Sequence, residues 1–365
     1  MLLTAGFGEG HNSAARQLAK ALGEESGGRV MPEPRDPVTL ASPRLAAVAK
    51  RIYHDVTTRA PGLWRMAFEM SRAGPFGPGL WDRVVGIQAW LERAMREQRP
   101  RAVVTTYPLY PYFLDAMPAD VPRPERVWVV VTDSITIHPI WTRLRADGWL
   151  VTDEYSREYM IGEGVEPGRI EVTGFPVDPA YAVGRREAGA AGRLRVLYFA
   201  TTGTAHVRET VVSLLRELPE RAELTVVTGR SEARVRPVIE TVVASSGRGG
   251  VRVEGWCGDI PARMAASDVV LTKAGGATVH ECLAAGVPAV VNYVIPGQEE
   301  GNLELLERLG CGCRAPVAGG ETGRFLRELV SGGRLRAMQE AATRERRPDG
   351  AVLAARRILA DTPGI

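Results

Sequence analysis

Short, strand-like runs rich in apolar residues alternate along this chain with stretches whose apolar positions recur every three or four residues. Runs at 2–4, 102–106, 127–132 and 149–152 form one series, and runs at 195–200, 224–228, 251–254, 269–272 and 289–292 form a second. Continuous apolar runs suit strands buried on both faces, and their spacing leaves room for a crossover helix each time. The intervening patterns fit that reading. Ala14, Ala15, Leu18 and Leu22 make one helical stripe, and Val211, Leu214, Leu215 and Leu218 make another. The pattern predicts α/β architecture with parallel sheets. Between the two series, "FPVDPAYAVGRREAGAAGRLR" has no period and is rich in Pro, Gly and Ala, which marks a linker. A chain of 365 residues also exceeds what one core usually organises. The expected division is a first domain at 1–178, a linker at 179–192, a second domain at 193–348, and a closing helix at 349–365 that returns to the first domain.

Each series opens as strand, glycine turn and helix. In "TAGFGEGHNSA" the turn holds Gly8 and Gly10, and Asn12 or Ser13 is the expected N-cap; the second opening is "FATTGTAHVRET". In doubly wound sheets such turns lie at the carboxyl ends of the strands, where ligands bind, so two of them would face each other across a cleft. Composition narrows the class. Hydrophobic content of 45% with 24% charge fits a soluble globular chain, and a net charge of +3 gives no argument for nucleic acid. No apolar run reaches the length of a membrane span, and the N-terminus has neither a basic n-region nor a cleavage site, so no span and no signal peptide are expected. Cys257, Cys282, Cys311 and Cys313 lack the spacing of a disulfide framework or a zinc site, which points to a reducing, cytosolic setting.

The chemistry concentrates in "TKAGGATVHECLAAGVPAVVNYVIPGQEEGN", residues 272–302. Lys273, Gly275, Gly276 and Thr278 leave a strand and enter a helix, so the backbone N–H groups of 275–278 are placed for an anion. The lysine stands out because the only others are Lys20 and Lys50. Glu281 follows Thr278 by three residues on the same helix face, where a carboxylate suits a ribose diol, whereas His280 is expected to be a solvated helix residue. After the next strand, Gln298, Glu299 and Asn302 supply donors and acceptors for sugar hydroxyls. Each feature is commonplace alone. In chain order, a phosphate turn, a ribose carboxylate and a polyol-reading loop describe a nucleotide-sugar site.

This stretch resembles the donor-binding signature of the monogalactosyldiacylglycerol synthase and processive diacylglycerol glycosyltransferase family, related to the bacterial N-acetylglucosaminyltransferase that forms lipid II. "GFGEGHNSA", "RPRAVVTTYPLYPYFL", "VVTDSITIHPIW" and "VTGFPVDPAY" are similar to further segments of that family, so the resemblance covers most of the chain. It implies a GT-B fold, with two Rossmann-like doubly wound domains, and inverting transfer from a UDP-sugar. By the same resemblance Glu281 would hold the ribose. Lys273, Gly275, Gly276 and Thr278 would lie near the diphosphate, Gln298 and Glu299 on the hexose, and Trp256 of "EGWCGDI" beside uracil. Two positions depart from the family. The turn "TTGTAH" has one glycine where relatives are glycine-rich, so Thr202, Thr204 and His206, around Gly203, are expected to replace backbone contacts with side chains. Tyr107 stands where relatives often have histidine, on the acceptor side.

Such a transfer needs a base for the acceptor hydroxyl and stabilisation of departing UDP. The sequence contains no Asp-x-Asp, so a reaction without metal or cofactor is expected, with the helix dipole and Lys273 opposing the leaving charge. His11, on the glycine turn and expected to be kept neutral by the helix N-terminus, is one candidate base. Asp133, at a strand end, is the other, or else it orients His11; His138 and Trp141 are expected at the acceptor mouth. Residues 59–101 carry eight arginines against four acids, interleaved with Trp64, Phe68, Phe76, Trp81 and Trp90. With Arg65, these suit peripheral contact with an anionic membrane surface, although Trp64 and Phe68 also fit a core-facing stripe. The expectation is transfer from UDP-glucose or UDP-galactose to diacylglycerol or a glycosyldiacylglycerol, at the cytoplasmic face of the cell membrane. The alternatives are another lipid-linked or small hydroxyl acceptor, a UDP-GlcNAc 2-epimerase, and a nucleotide-sugar-binding protein without catalysis.

Overall fold

A computed structural model describes residues 1–74, 79, 86–183 and 193–362; the candidate contact Trp81, with Phe76 and most of the expected linker, lies outside them. The chain divides into two compact units. The first comprises Met1–Asp178, Pro296–Gly301 and Asp349–Ile365, the second Pro179–Ile295 and Asn302–Pro348.

In the first unit six parallel strands, β1 (Leu2–Leu3), β2 (Pro34–Arg35), β3 (Ala102–Thr105), β4 (Arg126–Val130), β5 (Gly148–Val151) and β6 (Ile170–Val172), pair in the order β2-β1-β3-β4-β5-β6. In the second, β7 (Arg195–Phe199), β8 (Glu223–Val227), β9 (Val251–Glu254), β10 (Val269–Lys273), β11 (Ala289–Tyr293) and β12 (Gly312–Arg314) pair in parallel as β12-β11-β10-β7-β8-β9. The order reverses between β1 and β3 in one sheet and between β7 and β10 in the other. At such switch points the loops leave in opposite directions and open a crevice at the carboxyl ends. Strands β2, β6 and β12 escape the sequence pattern because they are two or three residues long and lie at or next to a sheet edge.

The helix Glu9–Glu25 buries Ala14, Ala15, Leu18, Ala21 and Leu22, and the last four share a cluster with Ala351, Ala354, Ala355 and Ile358 of the last helix, Gly350–Ala360. Gly350 seats that last helix, since a Cβ there would overlap the Phe175 carbonyl. The first helix starts earlier than Asn12 or Ser13 as N-cap would allow. Gly8 adopts φ 97°, which glycine takes without strain, so the turn closes one residue before Glu9. Asn12 instead accepts a hydrogen bond from Thr4 Oγ1 at 3.0 Å, and His11 falls in the first helical turn.

His280 also differs from expectation. Its helix, Gly276–Ala285, is covered by residues 179–183 and by the helices Ile260–Ala265 and Arg334–Arg344. With neighbours on several sides, His280 is buried rather than solvated. Among the described residues no helix is long and apolar enough to cross a membrane.

Candidate functional site

At the switch point of the first unit, the chain leaving β1, β3 and β4 passes through buried threonines, Thr4, Thr106 and Thr132. They cradle His11. Its Nδ1 lies 2.6 Å from the Thr106 carbonyl oxygen and 2.9 Å from Thr132 Oγ1, while Thr106 Oγ1 donates to the His11 carbonyl at 3.1 Å. A carbonyl can only accept, so Nδ1 carries the ring proton and Nε2 keeps the basic lone pair. Tyr107 and Trp141 flank the ring at centroid distances of 5.2 and 6.2 Å. Burial lowers the His11 pKa to about 4, against the hydrogen bond to Thr106, which raises it. Neutrality therefore comes from burial rather than from the helix N-terminus.

Asp133 is tied elsewhere. Its Oδ2 accepts from Trp141 Nε1 at 2.7 Å, so the Thr106 carbonyl, not Asp133, orients His11. Burial raises the Asp133 carboxyl to about 6; the Trp141 bond opposes this and the Glu299 charge adds to it. Trp141 is fully buried as the partner of Asp133 and does not form an acceptor mouth. His138 is buried too. Its Nδ1 accepts from Ile140 N at 3.2 Å, capping the turn Pro139–Trp141, and its Nε2 lies 3.0 Å from Ser71 Oγ. Burial, then the Arg72 charge, lowers His138 to about 4. The loop after Asp133 is strained, for Ile135 is a β-branched residue at φ 56°, pinned by Ser156 Oγ accepting from its N–H at 2.9 Å. Against that loop lies Gly301, where a Cβ would overlap the Ser134 carbonyl oxygen.

The segment Pro296–Gly301, expected from the sequence to read a polyol, belongs to this same unit. Gln298 Oε1 accepts from Tyr53 Oη at 2.8 Å, and Glu299 is buried. Phe68 lies against Gly297, whose φ of 80° and bare α-carbon admit the ring, and sits edge-on to His138 at 4.8 Å. Ring contacts run on from Phe68 through Trp64 (6.3 Å), Tyr53 (5.1 Å), Phe7 (5.9 Å) and Tyr107 (6.0 Å) to His11. Trp64 and Phe68 thus face inward, contrary to their expected membrane contact. The opposite face of their helix, Pro61–Arg72, exposes Leu63, Met66 and Met70; the preceding helix, Pro43–Arg59, exposes Leu45, Val48 and Ile52. Arg65 is exposed, in a loose ion pair with Glu300 at 3.8 Å.

In the second unit β10 ends at Lys273, and Gly275 caps the helix Gly276–Ala285. The first-turn N–H groups there, from Gly276 to Thr278, have no partner within the helix. Glu281 follows one turn along and is partly exposed. Asn302, expected on the hexose, is buried and donates Nδ2 to the Ala274 carbonyl at 3.0 Å, so it braces the lysine–glycine turn. Gly203 caps the helix Thr204–Glu217; beside it, Thr202 Oγ1 and His206 Nε2 are buried polar atoms with no hydrogen bond of normal geometry among the described residues. Trp256 is 64% exposed, with the Arg230 guanidinium 5.2 Å over its ring. Among the described residues no group of three His, Cys, Asp or Glu side chains could hold a metal ion.

Three features went unread in the sequence. Tyr53 is one, and the threonines are another, although each of their apolar runs ends visibly in Thr. The third is Asp36, which accepts from Lys50 Nζ at 2.8 Å, Thr39 Oγ1 at 2.7 Å and Gly6 N at 3.1 Å, and so holds the glycine turn from below. Although burial raises the Asp36 pKa, those bonds outweigh it and leave the carboxyl below its ordinary value.

Residues 11–177 match the monogalactosyldiacylglycerol (MGDG) synthase family, and residues 200–313 match the glycosyltransferase family 28 C-terminal domain. The chain is 27% identical over 225 residues to a processive diacylglycerol beta-glucosyltransferase of Bacillus subtilis, covering 59% of this chain and 56% of that protein. It is 22% identical over 329 residues to the enzyme of that name from Bacillus mycoides, covering 85% and 80%. To the chloroplastic monogalactosyldiacylglycerol synthase 2 of Arabidopsis thaliana it is 26% identical over 260 residues, covering 66% and 54%. The matches thus span little more than half the length of two of these relatives. Among solved structures, a Staphylococcus aureus MnaA–UDP complex superposes with a TM-score of 0.63 at 14% identity, over 98% of this chain and 94% of that one. Acinetobacter baumannii MurG superposes with 0.59 at 13%, over 98% of each. The fold is GT-B.

Proposed function

We propose, for a chain that belongs to the monogalactosyldiacylglycerol synthase and processive diacylglycerol glycosyltransferase family, that it moves a hexose from UDP-glucose or UDP-galactose to diacylglycerol or a glycosyldiacylglycerol, with inversion. The observation that carries the reading is the committed tautomer of His11. Its Nδ1 proton is held by a strand-end carbonyl and its Nε2 is left as a base. In the proposed step Nε2 takes the acceptor hydroxyl proton as that oxygen attacks the anomeric carbon, while the bond to UDP breaks and its electron pair leaves with the diphosphate. The N–H groups from Gly276 to Thr278, with Lys273, supply the opposing charge, so neither metal nor cofactor enters the step. Glu281 takes the ribose, Trp256 the uracil, Thr202 and Thr204 the turn at the donor, and Gln298 and Glu299 the hexose. On the acceptor side, the apolar rows Leu45, Val48, Ile52 and Leu63, Met66, Met70 are exposed, with Arg44, Arg51 and Arg65 exposed among them. That composition supports a peripheral, anionic bilayer contact at the cytoplasmic face.

A second reading makes Asp133 the base, favoured by a carboxyl raised to about 6. The central test is chemical. Purified protein is mixed with labelled UDP-glucose or UDP-galactose and diacylglycerol micelles, and the lipid extract is analysed for a β-linked product. Label enters the lipid with wild type and not with His11→Ala or Glu281→Ala, whose circular dichroism is unchanged. Unlabelled lipid from wild type, or UDP-ManNAc formed from UDP-GlcNAc without an acceptor, would sink the proposal.

A further inference from the structure

The hydrogen bond from Tyr53 to Gln298 joins a helix that no sequence motif marks to the loop that reads the donor sugar. Tyr53 lies on the helix Pro43–Arg59, two hundred and forty-five positions from Gln298, and its Oη reaches Gln298 Oε1 at 2.8 Å. Its ring is held edge-on by Trp64 at 5.1 Å and by Phe7 at 5.9 Å, so the hydroxyl has little freedom to swing away. A carboxamide has an acceptor end and a donor end, and only its hydrogen-bond partners decide which way round it sits. Here the oxygen is taken by a phenol.

We infer that Tyr53 is the positioning residue for donor-sugar recognition: by donating to Gln298 Oε1 it turns the carboxamide so that the NH2 is presented to a hexose hydroxyl. The inference rests on the proposed reading of Gln298 as a hexose contact. Burial, with the Glu299 carboxylate adding to it, raises the Tyr53 phenol well above its ordinary value, so it remains a donor wherever the protein is folded. Without that donor the amide can rotate, and it then offers the sugar either oxygen or nitrogen. Choice between epimeric hexoses depends on such placement, because one axial hydroxyl needs either a donor or an acceptor opposite it.

The test is Tyr53→Phe, which keeps the ring contacts and removes only the hydroxyl. The expected result is a KM for the UDP-hexose raised about ten-fold, with kcat within about two-fold, and a reduced preference between UDP-glucose and UDP-galactose. Inhibition by UDP alone, which has no hexose, stays at the wild-type value. In a double-mutant cycle Tyr53→Phe adds nothing to Gln298→Ala. An unchanged KM and sugar preference, additive effects in the cycle, or an equal loss of UDP affinity each overturn the inference while leaving the transferase reading intact. Wild type that neither binds a UDP-hexose nor makes glycolipid overturns that reading, and this inference with it.

Discussion

His11 and Asp133 are moved in opposite directions by the same physical cause. Burial disfavours the charged form of each, so the histidine falls to about 4 and the carboxyl rises to about 6. A general base must be unprotonated, so the acid limb of kcat/KM identifies it. With His11 as base, kcat/KM stays level from about pH 7 down to about pH 5 and falls below that, tracking its lowered pKa. A limb centred near 6 hands the role to Asp133. Both candidates were legible in the sequence because each stands at the end of an apolar run beside a glycine turn or strand end. Their partners were not. Trp141 reads as one more aromatic in an acceptor loop, and only the folded chain brings its indole N–H to Asp133. Asn302 reads as a sugar ligand by its neighbours, yet its Nδ2 is bonded to the turn at Ala274.

The helices Pro43–Arg59 and Pro61–Arg72 each carry two apolar faces, and this misled the reading of Trp64 and Phe68. Aromatics beside arginines suggest an interface, but here the aromatics serve the interior and the aliphatic rows Leu45, Val48, Ile52 and Leu63, Met66, Met70 are exposed. An apolar side chain contributes ~1.5–3 kcal/mol when fully buried, so a charge placed in such a row should lower membrane partition by about ten-fold or more. Ile52→Asp and Met66→Asp are therefore expected to lose cosedimentation with anionic vesicles, while transfer to a detergent-dispersed acceptor stays within about two-fold of wild type. Vesicle binding equal to wild type would show that these rows serve something other than a bilayer. The strands themselves were easier. Short runs rich in apolar residues announced nine of them, whereas β2, β6 and β12 are edge strands of two or three residues without such a run.

Across the molecule the buried titratable groups act together on stability. His11 and His138 both sit near 4 in the folded chain against about 6.5 when unfolded, so between those values the unfolded chain holds more protons. Stability then falls as pH falls through that window. Asp133 acts in the opposite sense, since its folded value of about 6 exceeds an unfolded value of about 4. One group opposes two. The thermal midpoint is therefore expected to drop between about pH 6.5 and about pH 4, less steeply in His138→Gln; a midpoint flat over that range would contradict the assignment of neutral, buried imidazoles. The alternation of strands and helices predicted two parallel sheets, but not the order in which their strands pair. Pairing order joins distant segments and leaves no local pattern.

Gly301 carries a longer consequence. Because the Ser134 carbonyl occupies the space any side chain would need, neither the segment ending at Gly301 nor the strained bend at Ile135 can drift in sequence by itself. Descendants of this chain inherit that corner whole, and a graft that imports one of the two segments without its mate carries a steric fault from the start.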